Sequence, residues 1–201
     1  MVWRSTIRRH PAMQDVPWAM TLCFTGHRPE GLPQLPKTRA ALDAALGYRI
    51  ERALEMGFTH FLVGMADGID YMAAMHLFRL RARYPGLCVI GAVPGPDHAE
   101  CYRRSGYDMS HLEAVLAGAD MTVTLDGDCL HRASSAYLGR DRFMVENASA
   151  IIAVCSERRS GSLSTFRMAL EKKLAYCRLF PYPPDGTLPS PQEWPADCYG
   201  L

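Results

Sequence analysis

The sequence has almost no excess of charge of either sign. Lys and Arg number 22, and Asp and Glu number 21, which leaves a formal net charge of +1 on 201 residues. Such a chain lacks the general positive field that holds a nucleic-acid backbone or an acidic membrane. Any anion-binding site must therefore be local, and the charge disfavours nucleic acid as a partner.

Long apolar runs and paired cysteine motifs are also missing. No stretch approaches the roughly 20 apolar residues of a membrane helix, and residues 1–19 lack the apolar segment of a signal peptide. We therefore expect a soluble, cytoplasmic protein without a membrane partner. The seven cysteines are an odd number and form no C-x-x-C pair, which predicts reduced, mostly buried thiols without an intramolecular disulfide.

The motifs of several common active sites do not occur. The sequence has neither the P-loop spacing G-x-x-x-x-G-K-[ST], nor the dinucleotide fingerprint G-x-G-x-x-G, nor a G-x-S-x-G nucleophile elbow. His98 with Cys101, and Cys129 with His131, each resemble half of a zinc site, but no second pair stands at a matching spacing. We expect no metal site, and no cofactor is specified.

Short apolar runs alternate with longer amphipathic ones through the middle of the chain. Strand-sized runs rich in Val, Ile, Leu and Phe are 20–24, 60–63, 87–93, 121–125, 150–155 and 177–180. Helical spacing occurs over 37–56, 69–84, 137–148 and 165–176, and Ser110 with Glu113 predicts a capping box for a further helix. Strands that are apolar throughout and alternate with helices indicate a mostly parallel sheet, so we predict a three-layer α/β/α Rossmann-like domain.

The two ends of the chain differ from this middle part. Residues 1–19 carry three arginines and two prolines without a helical or strand period, which predicts a flexible N-terminal arm. Residues 182–201 are rich in proline, which predicts a tail that lacks regular structure over most of its length and lies on the surface. The domain itself is expected to span residues 20–181.

Ligands of an open parallel sheet bind outside the carboxyl ends of the strands, so the loops that follow the strands are candidate sites. The first loop, residues 25–30, contains Gly26, His27 and Arg28. Glycine lets the backbone approach a ligand, Arg28 offers a planar fork to a phosphate or carboxylate, and His27 could act as a hydrogen-bonding or acid/base group. A simple turn with solvated side chains explains the same residues equally well.

The second loop, residues 64–70, reads GMADGID between a strand and a helix start. Free backbone N–H groups and the helix dipole can hold an anion there, and Gly64 and Gly68 leave room for it. Asp67 and Asp70 repel phosphate directly, so they fit ribose hydroxyls, a bound cation or helix capping better.

The third loop, residues 156–165, reads SERRSGSLST and again joins an apolar strand to a helix. Arg158 or Arg159 adds charge, and an ordinary polar loop with a serine cap is the alternative. Arg140 or Arg142 could point at the same site, although their spacing favours a solvated turn. The candidate phosphate donors of the third loop are Gly161, Ser162, Ser164 and Thr165.

Four segments resemble the YpsA-like proteins, a branch of the SLOG superfamily, which is named for the DNA-processing protein DprA and the LOG cytokinin-activating hydrolases. The segments are CFTGHRPE (23–30), GMADGIDYMAA (64–74), GRDRFMVENASAIIAV (139–154) and SGSLSTFRMAL (160–170). The resemblance implies a Rossmann-like sheet with a pocket for a nucleotide-type ligand, lined by the three loops. The ligand-binding residues that it implies are Gly26, Arg28, Gly64, Asp67, Gly68, Asp70, Gly161, Ser162 and Thr165, with Arg142 and Glu146 in addition.

One departure from the LOG-type hydrolases bears on catalysis. Those enzymes cut the N-glycosidic bond of a nucleoside monophosphate and carry a P-G-G-x-G-T-x-x-E signature whose glutamate is catalytic. Here Met168 stands three residues after Thr165, where that glutamate is expected. Cleavage through an oxocarbenium-like transition state needs a carboxylate near the sugar, which one of four residues would have to supply: Asp67, Asp70, Glu30 or Glu146.

We therefore expect the chain to bind or sense a nucleotide or a nucleotide-derived ligand, such as an ADP-ribose-like molecule, at the carboxyl edge of the sheet. The alternative is hydrolysis of a nucleotide N-glycosidic or phosphate bond, with Asp67, Asp70 or Glu146 as the catalytic carboxylate. Binding of single-stranded DNA, as in DprA, needs a basic groove and stacking aromatic side chains, and the near-neutral charge argues against it. A homo-oligomer is compatible with the sequence.

Overall fold

A computed structural model of the chain describes residues 10–201. Its strands are β1 (Thr21–Gly26), β2 (His60–Val63), β3 (Cys88–Val93), β4 (Met121–Thr124), β5 (Ala150–Val154), β6 (Ala175–Leu179) and β7 (Ala196–Tyr199). They form one sheet of order β4-β3-β2-β1-β5-β6-β7, in which every neighbouring pair is parallel except β6 and β7. The chain extends from β1 in one direction as far as β4 and continues with β5 on the other side of β1.

Helices cover both faces of this sheet. They are α1 (Pro36–Glu55), α2 (Ile69–Leu80), α3 (His98–Arg104), α4 (Met109–Gly118), α5 (Ala133–Glu146) and α6 (Gly161–Glu171). Leu22 and Phe24 of β1 pack with the helices α1 and α2, whereas Cys23 between them packs with α5 and α6. Successive side chains of a strand point to opposite faces, so the sheet has an apolar core on each side. The three-layer α/β/α Rossmann-like prediction is confirmed.

Several local boundaries differ from the sequence predictions. Helix α4 is capped by Asp108, whose carboxylate accepts a hydrogen bond from the N–H of Ser110 at 2.9 Å, so Ser110 is not the cap. Helix α6 begins four residues earlier than predicted and ends at Glu171. Lys173 then adopts a positive φ of 59°, and this turn places Ala175 and the next residue at the start of β6 rather than in a helix.

Both ends of the described chain contact the core, which differs from the expected arm and tail. Met13 lies in a short 3-10 helix, is 1% exposed and packs on the α5 and α6 side of the sheet. Trp194 is also 1% exposed, and its Nε1 donates a hydrogen bond to the carbonyl of Phe180 at 2.8 Å. The next residues form β7, so part of the proline-rich tail extends the sheet. Residues 1–9 of the predicted arm lie outside the described residues.

Candidate functional site

A crevice of about 1100 Å³ opens at the carboxyl edge of the sheet. It lies beyond β1 and β5, where the order of the strands reverses and the loops that follow these two strands separate. Such a reversal is where open α/β sheets bind their ligands. Of the residues predicted from the sequence, those that line it are Gly26, His27, Arg28, Glu30, Asp70, Arg140, Arg158, Arg159, Gly161, Ser162 and Ser164. Gly64 and Gly68 were predicted for the same site but do not line it.

Arg28 makes cation–π contacts with two aromatic rings. Its guanidinium carbon lies 5.0 Å from the ring centre of Tyr107 and 5.2 Å from that of Tyr137. Among residues 10–201, Arg28 forms no ion pair, although the negative charge of Asp70 favours its charged form. Arg28 also forms a side-chain hydrogen bond with Tyr137. The guanidinium has five N–H donors, so others are left to bind an anion.

Arg140 is the second cation of the crevice and is buried, with 6% of its surface exposed. Its Nη1 lies 3.4 Å from Asp70 Oδ2, and its Nε lies 2.8 Å from Asp141 Oδ1. The Nε–H has no acceptor in hydrogen-bond geometry among the described residues. Gly64 makes room for this side chain, because a Cβ at position 64 would lie 1.9 Å from Arg140 Nη1.

Arg142, predicted as a ligand-binding residue, does not line the crevice. It is exposed and lines a separate cavity of about 560 Å³ together with Glu146. The physical reason is helical geometry: two residues span about 200° of an α-helix, so Arg140 and Arg142 point to opposite sides of α5. Glu146, predicted as a catalytic candidate, is excluded from the crevice for the same reason.

The two aspartates of the second loop have different positions. Asp70 lines the crevice and is buried, and its Oδ2 accepts a hydrogen bond from the N–H of Ala66 at 3.2 Å. Burial raises the pKa of Asp70, while the charges of Arg140 and Arg28 lower it by less. Asp67 does not line the crevice; its Oδ1 accepts the N–H of Gly68 at 2.7 Å.

Asp67 contacts a helix rather than a ligand pocket. The same Oδ1 lies 3.0 Å from Nδ1 of His111 in α4, and the His111 ring stacks on Tyr71 with 3.8 Å between the ring centres. These contacts join the second loop to α2 and α4. Of the four carboxylates considered for catalysis, Asp70 and Glu30 line the crevice, and Asp67 and Glu146 do not.

His27 ties the first loop to the third. Its Nε2 accepts a hydrogen bond from the N–H of Ser156 at 3.2 Å, which places the ring proton on Nδ1. Burial lowers the pKa of His27, so the neutral ring is favoured. Gly68 packs against the backbone of the same loop. Its φ is 90°, and a Cβ at this position would lie 2.4 Å from the carbonyl oxygen of His27, so glycine is needed here.

The start of α6 forms the opposite wall. Ser160 caps this helix by accepting the N–H of Leu163 at 3.2 Å, which leaves the N–H groups of Gly161 and Ser162 without an intrahelical partner. Thr165, predicted as a ligand-binding residue, is 1% exposed, and its hydroxyl donates to Asp141 Oδ2 at 2.7 Å. Its role is to join α6 to α5.

Sequence reasoning missed the aromatic part of the site. Tyr137 and Tyr182 line the crevice, and Tyr107 contacts Arg28. Tyr137 stands three residues before Arg140 on α5, a spacing that places both on one helix face. That spacing is the signal that could have selected Arg140 over Arg142.

Two solved structures share the fold. DNA processing protein A (DprA) from Streptococcus pneumoniae matches with a TM-score of 0.50 and 19% identity, over 78% of this chain and 48% of that chain. DNA processing protein A from Helicobacter pylori, a single-stranded DNA-binding protein, matches with a TM-score of 0.51 and 17% identity, over 84% of this chain and 67% of that chain. This chain thus spans about half the length of the streptococcal protein, and these identities show the fold alone.

No curated protein sequence matches the chain. A family model for YpsA, described as the YspA SLOG family, matches residues 22–177. This span begins in β1 and ends in β6, so it contains the parallel sheet and all three loops. Among the described residues, no helix is both long and apolar enough to span a membrane. The resemblance of the four sequence segments is confirmed, and the chain belongs to the YpsA family of SLOG proteins.

Proposed function

We propose that the crevice binds a nucleotide-derived ligand through its phosphate groups, with an ADP-ribose-like molecule as the first candidate. The observation that carries this proposal is Arg28, whose guanidinium makes cation–π contacts with Tyr107 and Tyr137 at the reversal of the strand order. A planar fork of N–H donors without a carboxylate partner is suited to bind a phosphate.

The opposite wall adds donors of the same kind. The free N–H groups of Gly161 and Ser162 lie at the N-terminus of α6, where the helix dipole favours an anion. Arg158 and Arg159 contribute two exposed positive charges at the rim. A phosphate or diphosphate between these walls would therefore meet hydrogen-bond donors on both sides, while the crevice carboxylates Asp70 and Asp141 are paired with Arg140.

The remaining volume can hold a nucleoside. Small-molecule sites commonly measure about 300 to 1,000 Å³, and the crevice, at about 1100 Å³, is slightly larger. Tyr137 and the half-exposed Tyr182 offer ring faces to a base or a ribose. Both crevice carboxylates named as candidates have partners: Asp70 contacts Arg140 and the N–H of Ala66, and Glu30 accepts a hydrogen bond from the Tyr107 hydroxyl at 3.3 Å. We therefore favour binding over carboxylate-dependent hydrolysis.

Single-stranded DNA is the ligand of the Helicobacter pylori structure, and it makes a different demand on the surface. A DNA strand needs a long basic groove, whereas the net charge of this chain is +1 and the crevice has a local group of positive charges, Arg28, Arg158 and Arg159. We therefore propose a small phosphate-containing ligand for this chain.

Calorimetric titration with ADP-ribose, ADP, AMP and inorganic phosphate tests the proposal, with release of free base or phosphate followed in the same samples. We expect saturable binding of at least one nucleotide without turnover, and Arg142→Ala should bind equally well because Arg142 faces the other cavity. Base or phosphate release would instead identify a hydrolase. Binding of a thymidine oligonucleotide alone, weakened strongly by salt, would overturn the proposal in favour of DNA.

A further inference from the structure

Two cysteines face each other across the antiparallel edge of the sheet. Cys177 in β6 is the register partner of Cys198 in β7. Phe180 and Pro195 are opposite each other in the same register, just beyond the ends of the two strands. The N–H of Phe180 donates to the carbonyl of Pro195 at 3.1 Å, so Phe180 and Pro195 are a hydrogen-bonded pair. Hydrogen-bonded and non-hydrogen-bonded pairs alternate along an antiparallel ladder, which makes the two cysteines a non-hydrogen-bonded pair.

That type of pair has the spacing of a disulfide. The Cα atoms of a non-hydrogen-bonded pair lie about 4.5 Å apart, and disulfides join Cα atoms that are about 4.4 to 6.8 Å apart. The two thiols act on each other's pKa, and both are free in the structure. An S–S bond between them therefore needs little movement of the backbone.

The two thiols differ in their access to solvent. Cys198 is exposed at the sheet edge, whereas Cys177 is 2% exposed and packs in the core. The hydrogen bond with Cys177 lowers the pKa of Cys198 to about 7, and the same bond raises the pKa of Cys177. Cys198 is thus the accessible nucleophile, and Cys177 is the buried thiol that can react with it second.

We propose that Cys198 is an oxidation site and that it forms a reversible disulfide with Cys177. In the first step, the Cys198 thiolate attacks a low-molecular-weight disulfide, such as oxidised glutathione; a mixed disulfide forms, the S–S bond of the reagent breaks, and one reagent thiolate leaves. In the second step, Cys177 loses its proton to solvent and attacks the sulfur of Cys198, and the second reagent thiolate leaves. The protein loses two electrons, and the reagent is reduced to two thiols.

The bond would fasten the C-terminal segment to the domain. The chain between the two cysteines contains Pro181 and Tyr182, which line the crevice, and the buried Trp194. A cross-link around a loop of about 20 residues removes enough conformational freedom to make separation of β7 from β6 rarer by about a hundredfold. Oxidation is therefore expected to hold one wall of the crevice in place.

Peptide mapping by mass spectrometry tests the proposal on the full chain. The protein is incubated at several ratios of oxidised to reduced glutathione, quenched with acid, alkylated and digested without reductant. We expect a cross-linked peptide pair that contains Cys177 and Cys198 and disappears on reduction. Cys177→Ser should instead retain glutathione on Cys198, and Cys88→Ser is the matched control, because Cys88 is half-buried on β3 opposite His60 and should leave the cross-link unchanged.

The wild-type map decides the question even if a variant fails to fold. Cys198 found only as a free thiol or as a mixed disulfide at every ratio, with Cys177 still alkylated, would overturn the proposal. Amide hydrogen exchange of β7 gives a second readout, and we expect it to slow by about a hundredfold on oxidation. Equal exchange in the oxidised and reduced proteins would refute the proposed fastening of the C-terminal segment.

Discussion

Replacement of Arg28 by alanine is the most direct test of the crevice. A charge-assisted hydrogen bond contributes about 1.5 to 3 kcal/mol, so Arg28→Ala should weaken binding of a phosphate-containing ligand about ten- to a hundredfold. The fold should lose less, because the cation–π contacts with Tyr107 and Tyr137 are worth about 0.5 to 1 kcal/mol each. Ligand affinity and the free energy of unfolding should therefore respond to different degrees.

Lysine at position 28 separates charge from geometry. An ammonium group keeps the positive charge but cannot present a planar fork or stack between two rings in the same way, so Arg28→Lys should recover only part of the lost affinity. Arg142→Ala removes an equal charge from the other side of α5 and serves as the matched control. Calorimetry of the four proteins against the best nucleotide, with urea unfolding of each, gives both quantities.

Two outcomes would refute this reasoning. Equal affinities of the wild type, Arg28→Ala and Arg28→Lys would mean that Arg28 only stacks on the tyrosines and that the anion binds elsewhere. An equal loss of affinity in Arg28→Ala and Arg142→Ala would mean that the ligand responds to overall charge and not to a fork in the crevice.

Three further predictions concern the supports of the site and of the fold. Gly64→Ala should displace Arg140 and lower both the nucleotide affinity and the free energy of unfolding, the latter by about 1 to 3 kcal/mol. Gly139→Ala, where a Cβ meets nothing within 4 Å, should leave the affinity unchanged in the same calorimetry. Normal affinity in both variants would contradict the close packing at position 64. Burial lowers the pKa of His98 to about 4, so the folded chain keeps this ring neutral while the unfolded chain takes up a proton below pH 6.5. The contribution of His98 to the free energy of unfolding should be fully present above about pH 6.5 and fall by about 3 kcal/mol as the pH approaches 4. An equally steep fall in His98→Gln would show that this residue is not the cause of the pH dependence. Trp194→Ala should lower the free energy of unfolding by about 3 to 5 kcal/mol in urea, because the buried indole packs the C-terminal segment on the core; a loss below about 1 kcal/mol would show that this segment contributes little.

The apolar periodicity of the chain was enough to predict the sheet and its layers. Strands β3 and β5 are apolar over their whole length because the middle of the sheet is covered on both faces, so their signal is local and readable. The position of a loop after such a strand also follows from the sequence, and Gly26, Arg28 and Gly161 do lie at one edge, whereas Gly64 and Gly68 do not line the crevice predicted for them. Strand β7 was not predicted, because it lies in the proline-rich tail and forms only by pairing with the edge strand β6.

The chain's own order of residues determined the fold class, the family and the three loops, because hydrophobic period, glycine placement and motif spacing are properties of neighbouring residues. Only the tertiary structure decided which side chains face the crevice. Arg140 and Arg142 are two positions apart, and the packing of α5 against the sheet selects the first. The carboxylate of Asp67 contacts His111, which lies 44 positions further along the chain. No local sequence pattern could therefore reveal that this carboxylate does not line the crevice.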